Sequence, residues 1–375
     1  MSPSLVVGVP REVKPGEHRV ALTPDGVQEL VARNVPVLVE AGAGSGSSIT
    51  DDDYIGRSAE IVHRTEDLWA RSDIVMKVKE PQEAEFPLFR PGLVLFAYLH
   101  LAAHPAVADA LVERHVTSVA YETVQLASGV LPLLAPMSEV AGRLAAQIGA
   151  RFLERTSGGR GVLLGGVPGV EAGRVVIIGA GNAGGQAARV ALGMGANVLV
   201  IDKDLDRLRL VDQIYQGSIA TLASTKGAVQ RSCEEADLVI GAVLVPGARA
   251  PVVVDDDAIR SMRVGSVIVD CAVDQGGCVE AIQETTHEDP VYERRGVLHY
   301  AVGNIPSSVP NTSTRALVNA TLPYALELAT LGVPAASQVD TALALGVNTA
   351  EGVVTHKAVA RSLGRSSTPT TEVFA

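Results

Sequence analysis

The segment "RVVIIGAGNAGGQAARVALGMGANVLVID", residues 174–202, constrains the fold more than any other part of the chain. Four apolar residues are followed by Gly179-x-Gly181-x-x-Gly184, then an Ala-rich helical pattern, then a second apolar run ending in Asp202. This is the strand–turn–helix–strand order of a Rossmann βαβ unit, and an acidic residue about 20 positions after the turn completes it. The first glycine permits a tight turn. The second lets the backbone approach a pyrophosphate held at the N-terminus of the helix. Asp202 suits a ribose 2′-hydroxyl and repels a 2′-phosphate, so the segment favours NAD over NADP, with Lys203 and Arg207 nearby as the residues that would suit NADP.

The same alternation extends both ways. Upstream, "LVVGVP", "VPVLVE", "DIVMKV", "LVLFAYL" and "TSVAYET" are separated by helical stretches such as "PDGVQELVARN" and "PAVADALVERH". Downstream of Asp202, "DLVIGAV" and "SVIVDCAV" continue the series. Aromatic residues are only 3% of the 375, so the cores must be built from Val, Leu, Ile and Ala, which favours parallel strands buried on both faces. The predicted fold class is therefore α/β, with two Rossmann-like doubly wound domains. Long helices over 138–155 and 312–330 serve as crossovers, with Ser138 as N-cap of the first. The domain of residues 138–306 binds NAD and is inserted in a discontinuous substrate domain of residues 1–137 and 307–375. The polar tail "RSSTPTTEVFA" reads as loose.

A net charge of −11 with no basic face argues against a nucleic-acid partner. Cys233, Cys271 and Cys278 lack CxxC spacing and read as small core residues in a reducing compartment. No metal is called for. The N-terminus shows no secretory pattern, and the uncharged stretch 91–108 is broken by prolines and histidines, so a cytoplasmic chain with no membrane span is expected. Two glycine-rich decoys are read as loops: Gly42, Gly44 and Gly46 precede acidic residues, and "TSGGRGVLLGGVPGV" lacks the Gly-Lys-Ser/Thr ending of a P-loop.

Polar residues at strand ends are the candidates for chemistry. Arg19, between a strand and the helix start at Thr23-Pro24, offers a carboxylate either a bidentate fork or nothing more than a solvated loop. Alternation puts Lys77 and Lys79 on one face at a strand end, where ligands bind in open α/β sheets, or where a salt-bridged edge would suffice. His100 ends the next apolar run and is read either as a core histidine or as a titratable group beside those cations. Asp274 lies beyond the C-terminal end of "SVIVD", whereas Asp270 within it reads as structural.

Taken together, "VPREVKPGEHRVALTP", "KVKEP", "YLHLA", "YETVQ", "LLAPMSEVAGRLAAQIGA", "GGVPGV", "GAVLVPGA", "VDQGGC" and "NTSTRALVNATLPY" resemble the alanine dehydrogenase family over about residues 6–364. That resemblance implies NAD-dependent interconversion of L-alanine with pyruvate and ammonia by a homohexamer. It places the substrate carboxylate on Arg19 and Lys79, makes His100 the general acid/base, and gives Asp274 the activation of water. Around the cofactor it implies Ser138, Gly179, Gly181, Gly184, Asp202, Arg207, Ser224, Val243, Leu244, Asp274, Val302, Asn304 and Ile305. Ile305 stands where the family often has Met, Gly303 where it often has Ala, and Asn311 replaces a common basic residue. The competing expectations are a transhydrogenase-type NAD-binding subunit, a non-catalytic NAD-dependent regulator, and another opine or amino-acid dehydrogenase.

Overall fold

The computed structural model describes residues 5–243 and 250–375. Along the chain the strands are β1 (Val7–Val9), β2 (Val37–Glu40), β3 (Glu60–Val62), β4 (Ile74–Met76), β5 (Val94–Ala97), β6 (Thr117–Ala120), β7 (Arg174–Ile178) and β8 (Asn197–Asp202). They continue as β9 (Ala220–Ala223), β10 (Leu238–Gly241), β11 (Val267–Asp270), β12 (Val291–Arg294), β13 (Val297–Tyr300), β14 (Val347–Ala350) and β15 (Val353–Val354). The chain divides into two compact units, residues 1–137 with 307–375, and residues 138–306.

In the first unit the sheet order is β15-β14-β6-β5-β4-β1-β2-β3, parallel from β6 to β3. Its central strands are buried along their whole length, as a sheet covered on both faces requires. Leu68, Trp69, Val75, Leu95 and Leu111 fill one side of it. Strand order reverses direction between β1 and β4, which makes the carboxyl ends of those two strands the switch point of a doubly wound sheet.

The second unit repeats the plan with the order β12-β13-β11-β10-β7-β8-β9, antiparallel only at β12, and its switch point falls between β7 and β10. Val176, Ile178, Ile201, Val239 and Ile268 form its core.

Several boundaries differ from the sequence reading. The first long helix runs Ala135–Leu153, so Ser138 lies in its opening turn and does not cap it. Pro136 near the helix start accounts for the earlier beginning, since proline is favoured in a first turn. The second spans Pro310–Val339, with a non-helical break at Gly332 (φ 74°, ψ 159°) just after the predicted end at 330. Leu317, Val318 and Leu328 on it are buried. The tail is not loose: Thr368 N–H donates to Val354 O, and a short helix forms over Thr370–Val373.

Candidate active site

In the first unit the candidate residues follow the two strands that flank the switch point and the strand next to them. Arg19 comes after β1, Lys79 after β4, and His100 after β5. None of them sits on a strand. β5 stops at Ala97, and His100 lies in the turn beyond it, so the apolar run hid a strand end three residues before the histidine.

Arg19 is buried, and Glu17 grips it. Nε lies 2.7 Å from Glu17 Oε1 and Nη2 lies 2.6 Å from Oε2, while Nη1 faces the Met137 sulfur at 3.0 Å. The fork predicted for a substrate is thus engaged by the protein's own Glu17. Burial opposes the Arg19 charge, but the field and hydrogen bonds of Glu17 outweigh it, with smaller contributions from Tyr98 and Glu12. The guanidinium is held above its ordinary range.

The two lysines predicted to act together have different surroundings. Lys77 is fully buried, with Nζ 2.9 Å from Glu85 Oε1 and 3.1 Å from Glu12 Oε2, close enough to pair though poorly aligned for hydrogen bonds. Burial works against its charge, yet the two carboxylates raise it. Lys79 is also buried, at 6% exposure, but among the described residues it forms no ion pair. A buried ammonium without an ion pair is costly, and an anionic ligand is the remedy that a binding site supplies.

Glu12 sets the loop that carries Lys79, because its carboxylate accepts the Val78 N–H at 2.6 Å. Burial lifts the Glu12 carboxyl above its usual range, partly offset by Lys77. Burial also works to lift Glu80, but the charges of Lys79 and Lys14 hold it low. Tyr98 links the groups further: its ring stacks on the His100 imidazole at 5.9 Å with 5° between planes, and it lies in the field of Arg19. Its hydroxyl donates to Leu133 O. His104, with Nε2 3.7 Å from Glu80 Oε1, closes the group; burial lowers its imidazole. Glu12, Glu17, Tyr98 and Glu122 were not singled out from sequence. Only Glu17, two residues before Arg19, carried a local signal.

In the second unit the three glycines do different work. Gly179 has φ 107°, and a side chain there would meet Ala242 O at 2.4 Å. At Gly184 the first side-chain atom would fall 1.8 Å from Gly179 O. Gly181 caps the helix Asn182–Gly193 with ordinary extended backbone, and an added carbon would meet only Arg207 Nη1 at 3.5 Å. Neither backbone nor packing needs glycine at 181. The space above it, at a helix N-terminus, fits a pyrophosphate.

Asp202 ends β8 and braces this turn. Oδ2 accepts the Ala180 N–H at 2.6 Å and Oδ1 accepts the Asp204 N–H at 2.9 Å. Arg207, half-exposed, approaches Asp202 at 3.9 Å and Asp204 at 3.6 Å. Ser224 N–H donates to Asp202 O at 2.8 Å. It borders a cavity of about 250 Å³ that Lys226, Val229, Val252 and Asp255 also line. Val243, half-buried, follows β10 across the switch point, while Leu244 lies outside the described residues.

Asp274 occupies a single 3-10 turn after β11 and is exposed. Its Oδ1 accepts the Asn304 N–H at 3.0 Å, which ties that turn to the 302–305 loop. Val302 and Ile305 in that loop are buried, and Asn304 has φ 63°. Glycine at 303 is space for Glu284, whose Oε1 lies 2.0 Å from where a side chain there would begin. Asp270 is fully buried and accepts the N–H groups of Ala272, Cys278 and Val279, so it fastens both ends of the segment bearing Asp274. Burial raises its carboxyl, and those bonds counter the rise.

Two family profiles match the chain. That described as "Alanine dehydrogenase/PNT, N-terminal domain" covers residues 8–141, and "Alanine dehydrogenase/PNT, C-terminal domain" covers 145–357. The chain belongs to the alanine dehydrogenase/PNT family. Within that family, alanine dehydrogenase of Bacillus subtilis (strain 168) is 53% identical over 366 residues, 97% of this chain and 96% of that one. Alanine dehydrogenase of Mycobacterium tuberculosis (strain ATCC 25618 / H37Rv) is 53% identical over 369 residues, 98% and 100% of the two chains. A solved L-alanine dehydrogenase superposes with a TM-score of 0.93 at 48% identity, covering 96% of this chain and 99% of that one. A transhydrogenase from Sinorhizobium meliloti superposes at 0.79 with 24% identity, covering 94% and 99%, a likeness of fold alone.

Proposed function

We propose that the chain is an NAD-dependent amino-acid dehydrogenase that converts L-alanine to pyruvate and ammonia and runs the reverse amination. The observation that carries this reading is near-complete coverage by alanine dehydrogenases at about half identity, joined to a switch point bearing Arg19, Lys79 and His100. The two buried cations, Arg19 and Lys79, suit a small carboxylate. Holding that carboxylate at both cations fixes which way Cα faces.

When bound, the nicotinamide supplies the acceptor for the hydride that leaves Cα of alanine. The protein's own groups manage the protons. Loss of hydride leaves a substrate iminium, to which water adds; Asp274 takes the water proton. His100 moves a proton at the substrate oxygen as ammonia departs. The cations stabilise negative charge developing on that oxygen. The second unit holds NAD through the turn of Gly179, Gly181 and Gly184, with Asp202 on the ribose. Ser138, Arg207, Ser224, Val243, Leu244, Val302, Asn304 and Ile305 contribute around it.

The decisive experiment mixes purified protein with NADH, pyruvate and ammonium and follows nicotinamide absorbance. Absorbance should fall only when all three are present. An unchanged signal from protein that still binds NADH would overturn the reading. We further propose a homohexamer in the cytoplasm, without a nucleic-acid or membrane partner; light scattering should return six chain masses.

A further inference from the structure

His100 holds a backbone conformation that side chains avoid. Its φ is 46°, in the left-handed region, which costs a residue with a Cβ on the order of 1 kcal/mol. Turn bonds close it from one side only: Ala103 and His104 N–H groups donate to the His100 carbonyl at 2.8 and 3.2 Å. On the other side stands Glu122. Its carboxylate accepts the His100 N–H at 2.6 Å and the Leu99 N–H at 3.2 Å. Glu122 belongs to the short turn Tyr121–Thr123 after β6, so the parallel pairing of β5 with β6 fixes where it sits.

The same carboxylate reaches the ring. Oε1 lies 4.0 Å from His100 Nδ1, too far for a hydrogen bond but near enough for its charge to act. Its side chain is 12% exposed, so solvent screens that charge only in part.

We propose that Glu122 is a positioning residue that fixes the left-handed turn presenting the His100 imidazole. The proposal rests on the reading of His100 as the acid–base group. Tyr98 stacks on the imidazole, His104 faces it from the same turn, and His356, the cap of the helix Lys357–Ser362, faces Glu122. None of these supplies a second carboxylate to the ring.

The test compares Glu122→Gln, Glu122→Asp and His100→Ala across a full pH series in the reductive-amination assay, with NADH fluorescence checking that each protein is folded. Glu122→Gln keeps an acceptor oxygen but removes the charge. It should lower kcat by about tenfold or more, within the roughly 10²–10⁴-fold span of a general acid–base group, while the pyruvate KM stays within about threefold. Glu122→Asp, which can still accept the His100 and Leu99 N–H groups, should recover part of that loss. A Gln variant with parental kcat would overturn the proposal. So would a fall in kcat matched by a comparable rise in pyruvate KM, the mark of a change not confined to the His100 turn. Parental activity in His100→Ala would remove the underlying acid–base reading; inactive His100→Ala beside an untouched Glu122→Gln would remove only the role of Glu122.

Discussion

Gly181 and Gly184 are three residues apart in one motif, yet a methyl group should do opposite things at the two positions. At Gly181 the space is open to the solvent side of the turn, so Gly181→Ala should change stability by under about 1 kcal/mol while weakening NADH by about tenfold or more. At Gly184 the added carbon meets a backbone oxygen that cannot step aside, so Gly184→Ala should lower the melting temperature and cost about 1–3 kcal/mol. Fluorescence titration beside thermal denaturation separates the two. The lysines make a similar pair. Lys77→Met strands two buried carboxylates and should cost about 3–5 kcal/mol. Lys79→Met leaves Glu80 its ion pair with Lys14, so it should leave the melting temperature within a few degrees and raise the pyruvate KM instead, read from steady-state rates. The sequence could not rank these lysines, because the partners of Lys77 lie 65 residues upstream and 8 downstream.

Elements were legible where pattern and local chemistry agreed. The strand–glycine–helix unit at 174–202 folds where its pattern put it. The end of β5 was not legible, because Tyr98, Leu99 and Leu101 remain buried after the strand stops. Hydrophobicity reports burial, and here burial outlasts the strand. The helix beginning at Pro310 shows the reverse case, in which one residue ends an element. Gly332 sits at φ 74°, ψ 159°, a conformation open essentially to glycine alone. Gly332→Ala should therefore cost about 1–3 kcal/mol, seen as a lower urea midpoint.

For the molecule as a whole, pH sensitivity is built into the second unit at a residue the chemistry does not use. His299 on β13 is fully buried, stacked on Tyr292 at 5.1 Å, with Nδ1 3.0 Å from Val297 O. Burial pulls its imidazole down from 6.5 to about 4. Between those values the unfolded chain takes up a proton that the folded chain refuses, so stability is fully present above about 6.5 and is lost as pH falls toward 4. The loss amounts to up to about 3 kcal/mol. His299→Phe should flatten the fall in urea midpoint between pH 7 and pH 4.5; a parallel decline in both proteins would refute the assignment.

The sequence by itself determined the alternation of strands and helices, the dinucleotide turn and the family, because each is written in spacing and apolar period over short stretches. Tertiary structure alone decided which charges are already satisfied. The pairing of Lys77 with Glu12 and the Glu122 brace under His100 depend on which strands become neighbours in a sheet, while the Glu17 grip on Arg19 depends on how the loop after β1 folds. Parallel pairing brings together residues far apart in the chain, and the desolvation that makes their charges matter exists only once the sheet is covered.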